Sequence, residues 1–265
     1  MENVILMVHG MWCGKWVWED YKEFFKKKGF ICIAPDLRFH GEYLKNPHLG
    51  LGTTSLLDYV DDLEEIILAI KKQYRTLPII MGHSMGGLLA QILASRGLAR
   101  ALVLLASAAP RGINSVEPSV LKLFLPMMVE GRNFWKKSLK PTYKNASLTI
   151  LNKLSEKEKR FIYRKMGYES GRVIFEIGLW LLEWKKMAAK VKFKKINVPM
   201  LIIVGEQDSV IPVSVVEENV KKYKKAKKEL DYRKYPNCAH WILSGAHWKE
   251  IAEDVFIWLK PLTNL

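Results

Sequence analysis

The chain has 265 residues, 49% of them hydrophobic and 26% charged, and this composition fits a globular protein with a filled core. Its apolar runs are all shorter than the roughly 18 residues that a membrane-spanning helix needs, so no transmembrane helix is expected. The formal net charge is +15, but the lysines are scattered without the aromatic-basic pattern of nucleic-acid-binding proteins. We therefore expect no nucleic-acid partner, and a weak association with anionic surfaces is the alternative role for this charge.

The amino terminus, MENVILMVHG, has no basic segment before its apolar run and so lacks the design of a signal peptide. This predicts a cytoplasmic protein. The three cysteines, Cys13, Cys32 and Cys238, are odd in number and widely spaced, so neither a disulfide framework nor a metal site is predicted. Glutamine is rare whereas lysine and glutamate are common, a composition typical of thermophiles.

Six short runs, each bounded by turn residues, are predicted to be strands. They cover residues 4–10, 30–36, 77–83, 100–110, 199–208 and 229–237. The first five are almost continuously hydrophobic, the pattern of parallel strands that are covered on both faces. Between the runs lie the predicted helices Val17–Lys28, Ser55–Tyr74, Gly86–Arg96, Val213–Lys228 and His247–Leu259. Alternating strands and helices predict an α/β protein with a doubly wound, mostly parallel sheet of about six strands.

Residues 111–197 interrupt this alternation, because they are too many for one crossover helix. Three stretches within them, 121–129, 154–166 and 171–191, have helical patterns. We expect a helical cap at 111–197, inserted after the fourth predicted strand, with a framework crossover helix near its end. The α/β core would then comprise residues 1–110 and 198–265. Ligands of open α/β folds bind at the carboxyl edge of the sheet, where this cap would lie.

The segment Gly82-His83-Ser84-Met85-Gly86 fits the pattern G-x-S-x-G between a buried strand and a helix. Glycines two residues before and two after the serine allow the backbone to turn sharply. Ser84 would then stand at a helix amino terminus, where the peptide dipoles favour negative charge. This arrangement is that of an activated serine nucleophile.

A serine nucleophile needs a histidine base and a carboxylate that orients it. Asp208 and His240 follow the fifth and sixth predicted strands, at the sheet edge where Ser84 also lies. Glu206 is the alternative acid and His247 the alternative base, although His247 falls where the last helix should begin. The remaining histidines are interpreted as structural or surface groups; they are His9, which would brace its loop, His83, which would pack behind the nucleophile, His40 and His48.

Acyl transfer also needs hydrogen-bond donors for the oxyanion that develops on the substrate. The backbone N–H of Met85, directly after the serine, is one expected donor. The other is expected in the loop after the first strand, His9-Gly10-Met11-Trp12, and Met11 N–H is the predicted donor.

With these residues in place, the chain resembles the α/β-hydrolase superfamily. The similar segments are HGMW (9–12), APDLRFHG (34–41), GHSMGG (82–87), VGEQDSVIP (204–212) and CAHWIL (238–243). The opening segment is similar to the subgroup that contains methylesterases, hydroxynitrile lyases and small microbial esterases. The resemblance implies hydrolysis of carboxylic esters without a cofactor. It further implies Ser84 as nucleophile, His240 as base, Asp208 as orienting acid, and the Met11 and Met85 amides as the oxyanion hole.

Two departures and several alternatives accompany the resemblance. Phe39 stands where relatives commonly have glycine, and we expect it to reshape the pocket wall; His247 stands where they often have an acidic residue. Trp241 follows the histidine, whereas hydroxynitrile lyases of this subgroup have lysine there. Carbon–carbon bond hydrolysis and cofactor-free perhydrolysis use the same triad and stay open, as does a non-catalytic binding protein of the same fold.

The cap is rich in apolar side chains that could cover an acyl pocket. The predicted substrate pocket consists of Trp12, Phe124, Met127, Met128, Trp180 and Trp241. Flexible methionines in such a wall favour an adaptable site. We expect a small-molecule ester with a short-to-medium acyl chain as the substrate.

Overall fold

The computed structural model describes residues 2–42, 45–114, 117–129, 133–226, 228 and 230–263. The strands of its main sheet are β1 (Val4–Val8), β2 (Ile31–Ile33), β3 (Ile79–His83), β4 (Ala101–Leu105), β7 (Met200–Gly205) and β8 (Asp231–Tyr235). They lie in the order β2-β1-β3-β4-β7-β8, and every adjacent pair is parallel. The predicted α/β fold with a six-stranded, doubly wound parallel sheet is confirmed.

The helices between these strands are α1 (Glu19–Lys27), α2 (Leu56–Tyr74), α3 (Met85–Ser95), α8 (Val213–Lys225) and α9 (Trp248–Leu259). After β1, the chain first adds β2 next to it at one edge of the sheet. It later adds β3 and β4 on the opposite side of β1, towards the other edge. Because βαβ crossovers are right-handed, this reversal places α1 and α3 on opposite faces. Accordingly, α1 packs against α9, and α2 packs against α3.

The longest of these helices, α2, shows how the sequence directs local structure. Ser55 caps its amino terminus, and Asp58 completes a capping box. Buried side chains then recur every three or four residues along one face; they are Leu56, Tyr59, Val60, Leu63, Ile67 and Ile70. The helix ends at Arg75, which adopts the left-handed conformation.

Residues 111–197 form the segment that we call the cap. Its described elements are α4 (Pro118–Val129), β5 (Ser138–Leu139), α5 (Tyr143–Leu148), α6 (Glu156–Lys165), β6 (Glu169–Ser170) and α7 (Gly171–Gly178). The short strands β5 and β6 pair antiparallel; sequence reasoning missed both strands because two residues are too few to show a period.

The carboxyl-terminal part of the cap differs from the predicted structure. The helix expected over 171–191 ends at Gly178, and the chain continues in turns. Where a framework crossover helix was expected, the described chain has only the short 3-10 helix Phe193–Lys195. The carboxylate of Glu183 accepts hydrogen bonds from the backbone N–H groups of Lys186 and Ala188, which replaces helical pairing in this stretch.

Buried polar contacts attach the cap to loops of the core. The fully buried carboxylate of Glu176 in α7 accepts hydrogen bonds from the Ser55 hydroxyl at 2.8 Å and the Leu56 N–H at 2.7 Å. Arg172 Nε donates to the same carboxylate at 2.7 Å. A cap residue therefore stabilises the amino terminus of α2, where a negative charge is favourable.

We predict that Glu176→Ala lowers the free energy of unfolding by about 3 kcal/mol, because it leaves buried donors without an acceptor. Urea denaturation of the purified variant measures this change. The control is Glu65→Ala, which removes an exposed glutamate of α2, the helix whose start Glu176 contacts, and should change stability by less than about 0.5 kcal/mol. Equal effects of the two substitutions would contradict the anchoring role.

Candidate active site

Ser84 lies at the turn between β3 and α3 with φ 55° and ψ −121°, a conformation that non-glycine residues rarely adopt. Three backbone hydrogen bonds hold it there. Its N–H donates to the Leu105 carbonyl at 3.0 Å, and its carbonyl accepts from the N–H groups of Gly87 and Ala108, each at 2.9 Å. The strained turn is thus supported by β4 and by the loop that follows it.

The two glycines of the motif are required by close backbone contacts. A Cβ atom on Gly82 would lie 2.3 Å from the Gly86 carbonyl oxygen. A Cβ atom on Gly86 would lie 2.1 Å from the carbonyl oxygen of Val8, on the neighbouring strand β1. Any other residue at either position would force the turn apart, and this explains the G-x-S-x-G spacing in steric terms.

The structure brings Ser84, His240 and Asp208 together from the carboxyl ends of β3, β8 and β7. His240 Nε2 lies 3.1 Å from Ser84 Oγ, and His240 Nδ1 lies 2.9 Å from Asp208 Oδ2. The second carboxylate oxygen, Asp208 Oδ1, accepts from the N–H groups of Val210 and Ile211, both at 2.8 Å. With Asp208 as acceptor, Nδ1 carries the proton and Nε2 can accept one from the serine hydroxyl.

The alternative acid and base lie outside this arrangement. The Glu206 side chain is exposed, and its backbone N–H donates to the Tyr235 carbonyl. His247 precedes α9, and its Nδ1 atom lies 3.7 Å from Glu250 Oε2 on that helix. His40 is buried in an ion pair with Glu169 of the cap, at 3.2 Å.

His83 does not line the cavity and supports the backbone of His240. Its Nε2 atom lies 3.0 Å from the backbone carbonyl oxygen of His240 and therefore donates to it. Burial lowers the pKa of His83 to about 3, so the ring is neutral at ordinary pH.

Met11 and Met85, whose amides are the predicted oxyanion donors, line the same cavity as Ser84. Met85 is the first residue of α3, and its N–H has no acceptor within the helix. Within the described part of the chain, no backbone acceptor engages the Met11 N–H. The loop that carries Met11 approaches Ser84 so closely that a Cβ atom on Gly10 would lie 2.9 Å from Ser84 Cβ.

His9 holds this loop, as the sequence suggested. Its Nδ1 atom donates to the Gly10 carbonyl at 2.9 Å, and its Nε2 atom accepts from the Leu37 N–H at 3.1 Å. The Nε2 contact requires a neutral ring, because only an unprotonated nitrogen can accept, and burial lowers the pKa of His9 to about 4.

Ser84 opens into a cavity of about 280 Å³ whose wall is almost entirely apolar. Of the predicted pocket residues, Trp12, Phe124 and Met128 line it, together with Met11 and Met85. Leu125 and Leu179, two of the apolar cap side chains that the sequence offered for an acyl pocket, also line it. Sequence reasoning assigned no pocket role to the other lining residues, which are Ala108, Ala109, Val120, Leu121, Ile174, Ile177, Gly178, Val210 and Ile211. The position of Val210 and Ile211, two and three residues after Asp208, was a usable signal.

Three predicted pocket residues do not line the cavity. Met127 shares the buried face of α4 with Leu123, and this face points into the core. Trp180 lies under the guanidinium of Arg111, 5.2 Å from ring centroid to Cζ. Trp241 stacks on Trp16 with ring centroids 5.9 Å apart and donates to Ser244. Composition alone did not separate these packing positions from the cavity wall.

Phe39 is also absent from the cavity wall, contrary to expectation. It adopts φ 62°, the left-handed conformation that glycine favours, and its ring stacks on His48 with centroids 3.8 Å apart. The substitution therefore changes the outer loop rather than the cavity wall.

The parallel sheet, the strained serine turn and the histidine–aspartate pair at the sheet edge are those of an α/β hydrolase. Over residues 1–245 the chain matches the family described as serine aminopeptidase S33, and it belongs to this family of serine hydrolases. No curated protein sequence matches the chain.

Several solved structures share the fold. A monoacylglycerol lipase from Paleococcus ferrophilus superposes with a TM-score of 0.68 at 20% identity, covering 97% of this chain and 93% of that one. A pyrethroid hydrolase from Sphingobium faniae gives 0.71 at 15% identity, with 98% of each chain covered. A methylesterase from Arabidopsis gives 0.69 at 12% identity, covering 97% and 99% respectively.

The described residues contain neither a membrane-spanning helix nor a cluster of metal-binding side chains. No helix there combines the length and apolar character needed to cross a bilayer. The same residues contain no group of three or more His, Cys, Asp or Glu side chains placed to bind a metal ion.

We predict that His83 makes the protein sensitive to acid. Its pKa is about 3 when folded, against the ordinary 6.5, so the unfolded chain binds a proton between these values and the folded protein does not. Stability is therefore lost as the pH falls, by about 2 kcal/mol at about pH 5 for this group. Urea denaturation across this pH range should show a smaller loss in His83→Gln than in the wild type.

The control is His247→Gln, which removes a partly exposed imidazole and should keep the wild-type loss of stability. If His83→Gln and the wild type lose the same stability on acidification, the buried imidazole is not the acid-sensitive group.

Proposed function

We propose that this protein is a carboxylic ester hydrolase that works through an acyl-enzyme on Ser84. The observation that carries the proposal is the continuous hydrogen-bonded series Asp208–His240–Ser84, with its serine at the floor of an apolar cavity. The similarity in fold to lipases and esterases supports the same activity.

In the first step, Ser84 Oγ attacks the ester carbonyl while His240 Nε2 takes the hydroxyl proton. The short contact between these atoms, 3.1 Å, needs no rearrangement for the transfer. Asp208 keeps the imidazole in the reactive tautomer and stabilises the imidazolium that forms. Its own two backbone hydrogen bonds hold the carboxylate in place.

Negative charge then develops on the carbonyl oxygen of the substrate. The N–H groups of Met11 and Met85 stabilise it, and a donor of this kind contributes on the order of 10²–10³ in rate. The imidazolium protonates the departing alcohol. Water, activated by His240, next attacks the acyl group, and a second collapse releases the carboxylic acid and regenerates Ser84.

The cavity favours an uncharged acyl or alkyl group. Among the described lining residues, Ser84 is the only one with a polar side chain apart from Trp12, whose indole N–H is already donated to the Leu139 carbonyl. At about 280 Å³ the cavity lies at the small end of the usual range for ligand pockets. A short-to-medium acyl ester is therefore the proposed substrate.

The same wall disfavours the alternatives that need polar recognition. An aminopeptidase would need an acidic side chain to bind the ammonium group of its substrate, and the described cavity wall offers none. A carbon–carbon bond hydrolase acting on a dienoate acid would need cationic or polar groups there.

A non-catalytic binding protein of the same fold is disfavoured for another reason, because it has no need of a serine activated by a base.

Hydrolysis of p-nitrophenyl esters over a range of acyl lengths tests the activity. Ser84→Ala should reduce kcat/KM by about 10⁴-fold or more while the protein stays folded. The control Ser214→Ala changes an exposed serine on α8 and should keep wild-type activity. Turnover that survives in Ser84→Ala would refute the proposed nucleophile, and wild-type protein inactive on every ester would refute the ester hydrolase.

A second prediction concerns acyl length. Phe124 lines the cavity and packs against Trp12, with ring centroids 5.8 Å apart. Phe124→Ala should enlarge the cavity and shift the preferred acyl length upward, with a several-fold gain for longer esters over shorter ones. The control Phe161→Ala removes an exposed ring on α6 and should leave the preference unchanged. An unchanged profile for Phe124→Ala would place the acyl chain elsewhere.

A further inference from the structure

The cap exposes a group of large apolar side chains in the stretch that we call the apolar loop, residues 180–187. Leu181, Leu182 and Trp184 are 70%, 65% and 67% exposed. Single exposed apolar side chains are common on protein surfaces, but three within four residues form a patch that requires a reason.

The loop is held in this form by buried polar contacts. The carboxylate of Glu183 is buried and accepts from Lys186 N–H at 2.9 Å and from Ala188 N–H at 2.8 Å. The Arg111 guanidinium donates to the carbonyls of Trp180 and Glu183, the latter at 2.7 Å. The fold therefore holds the neighbouring apolar side chains outward, because turning them inward would break this network.

Unpaired lysines surround the patch. Lys185, Lys186 and Lys190 are exposed, and none forms an ion pair with any acidic side chain in the described part of the chain. Lys185 Nζ lies 5.6 Å from the centroid of the Trp184 ring. The only carboxylate in the apolar loop is Glu183, which is buried.

The patch adjoins the mouth of the cavity. Leu179, directly before the loop, lines the cavity together with Leu121 and Leu125 of α4. Both of these α4 leucines are also exposed at the surface, and Lys122 lies between them in sequence and is exposed. Apolar surface thus extends from the loop to the entrance of the proposed acyl site.

We infer that the apolar loop docks the enzyme onto an anionic lipid surface. Leu181, Leu182 and Trp184 would enter the boundary between headgroups and acyl chains, where tryptophan is favoured. Lys185, Lys186 and Lys190 would contact the anionic headgroups. A second copy of the chain fits the patch less well, because a two-fold contact would bring these same lysines together.

The test is cosedimentation with vesicles of phosphatidylcholine alone and of phosphatidylcholine mixed with an equal amount of phosphatidylserine. Wild-type protein should bind the mixed vesicles more tightly, and added salt should weaken this binding. The triple variant Lys185→Gln/Lys186→Gln/Lys190→Gln should lose about 100-fold in affinity for the mixed vesicles. The variant Leu181→Ser/Leu182→Ser/Trp184→Ser should lose binding to both.

Matched controls separate this loop from the general charge of the protein. Lys71→Gln/Lys72→Gln removes exposed lysines of α2, and Leu49→Ser removes a fully exposed leucine outside the cap. Both controls should bind vesicles as the wild type does. Equal loss of binding in the α2 lysine variant would overturn the inference in favour of net charge alone.

Two further outcomes would overturn it. One is the absence of wild-type binding to the mixed vesicles. The other is wild-type protein that is dimeric and becomes monomeric in the apolar triple variant without any vesicle binding, which would assign the patch to self-association. Vesicle binding does not rest on the proposed function. The loop variants should keep wild-type turnover of a water-soluble ester. Failure of the lipid-docking inference can therefore be distinguished from failure of the proposed ester hydrolase activity.

Discussion

The close approach of the backbone around Ser84 is the constraint on which the proposed site depends. Strand β1 and helix α3 are so near that Gly86 has no room for a side chain against the Val8 carbonyl. This contact lets the chain reverse within one residue, with Ser84 at positive φ and its hydroxyl at the cavity, 3.1 Å from His240 Nε2. It also places the Met85 amide beside the Met11 loop, which follows β1. One steric arrangement thereby positions both Ser84, the proposed nucleophile, and the two proposed oxyanion donors.

Buried polar groups attach the cap to this edge, in addition to the apolar cap side chains that pack into the core. Glu176 contacts the start of α2, and Glu169 accepts hydrogen bonds from Tyr59 at 2.8 Å and His40 at 3.2 Å. Removing one partner from such a buried set lowers the free energy of unfolding strongly, so these contacts specify where the cap docks. Because polar groups make the attachment at these points, the apolar residues of α4 and α7 remain available to line the cavity. The Arg111 and Glu183 network likewise fixes the shape of the outer loop.

Features with a strong local signal could be predicted from the sequence. Continuous hydrophobic runs indicated the strands, and the glycine spacing around Ser84 indicated the sharp turn, because both depend on short-range sterics. Asp208 and His240 were found because parallel strands all end at one edge of the sheet. The end of α7 at Gly178, the pairing of β5 with β6 and the inward face of Met127 depend on contacts between distant residues. Periodicity carries no information about those contacts. The cytoplasmic location and the thermophilic origin stay predictions.

The central claim is that Ser84 carries the acyl group during turnover. Rapid acid quenching of the enzyme during hydrolysis of a p-nitrophenyl ester, followed by mass spectrometry of its peptides, tests this directly. The account predicts a mass increase equal to one acyl group on the peptide that contains Ser84, formed together with a burst of p-nitrophenol of about one per chain. A burst with the acyl group on another residue would contradict it. Turnover that proceeds with neither burst nor adduct, both in the wild type and in the variant His240→Ala, would also contradict it.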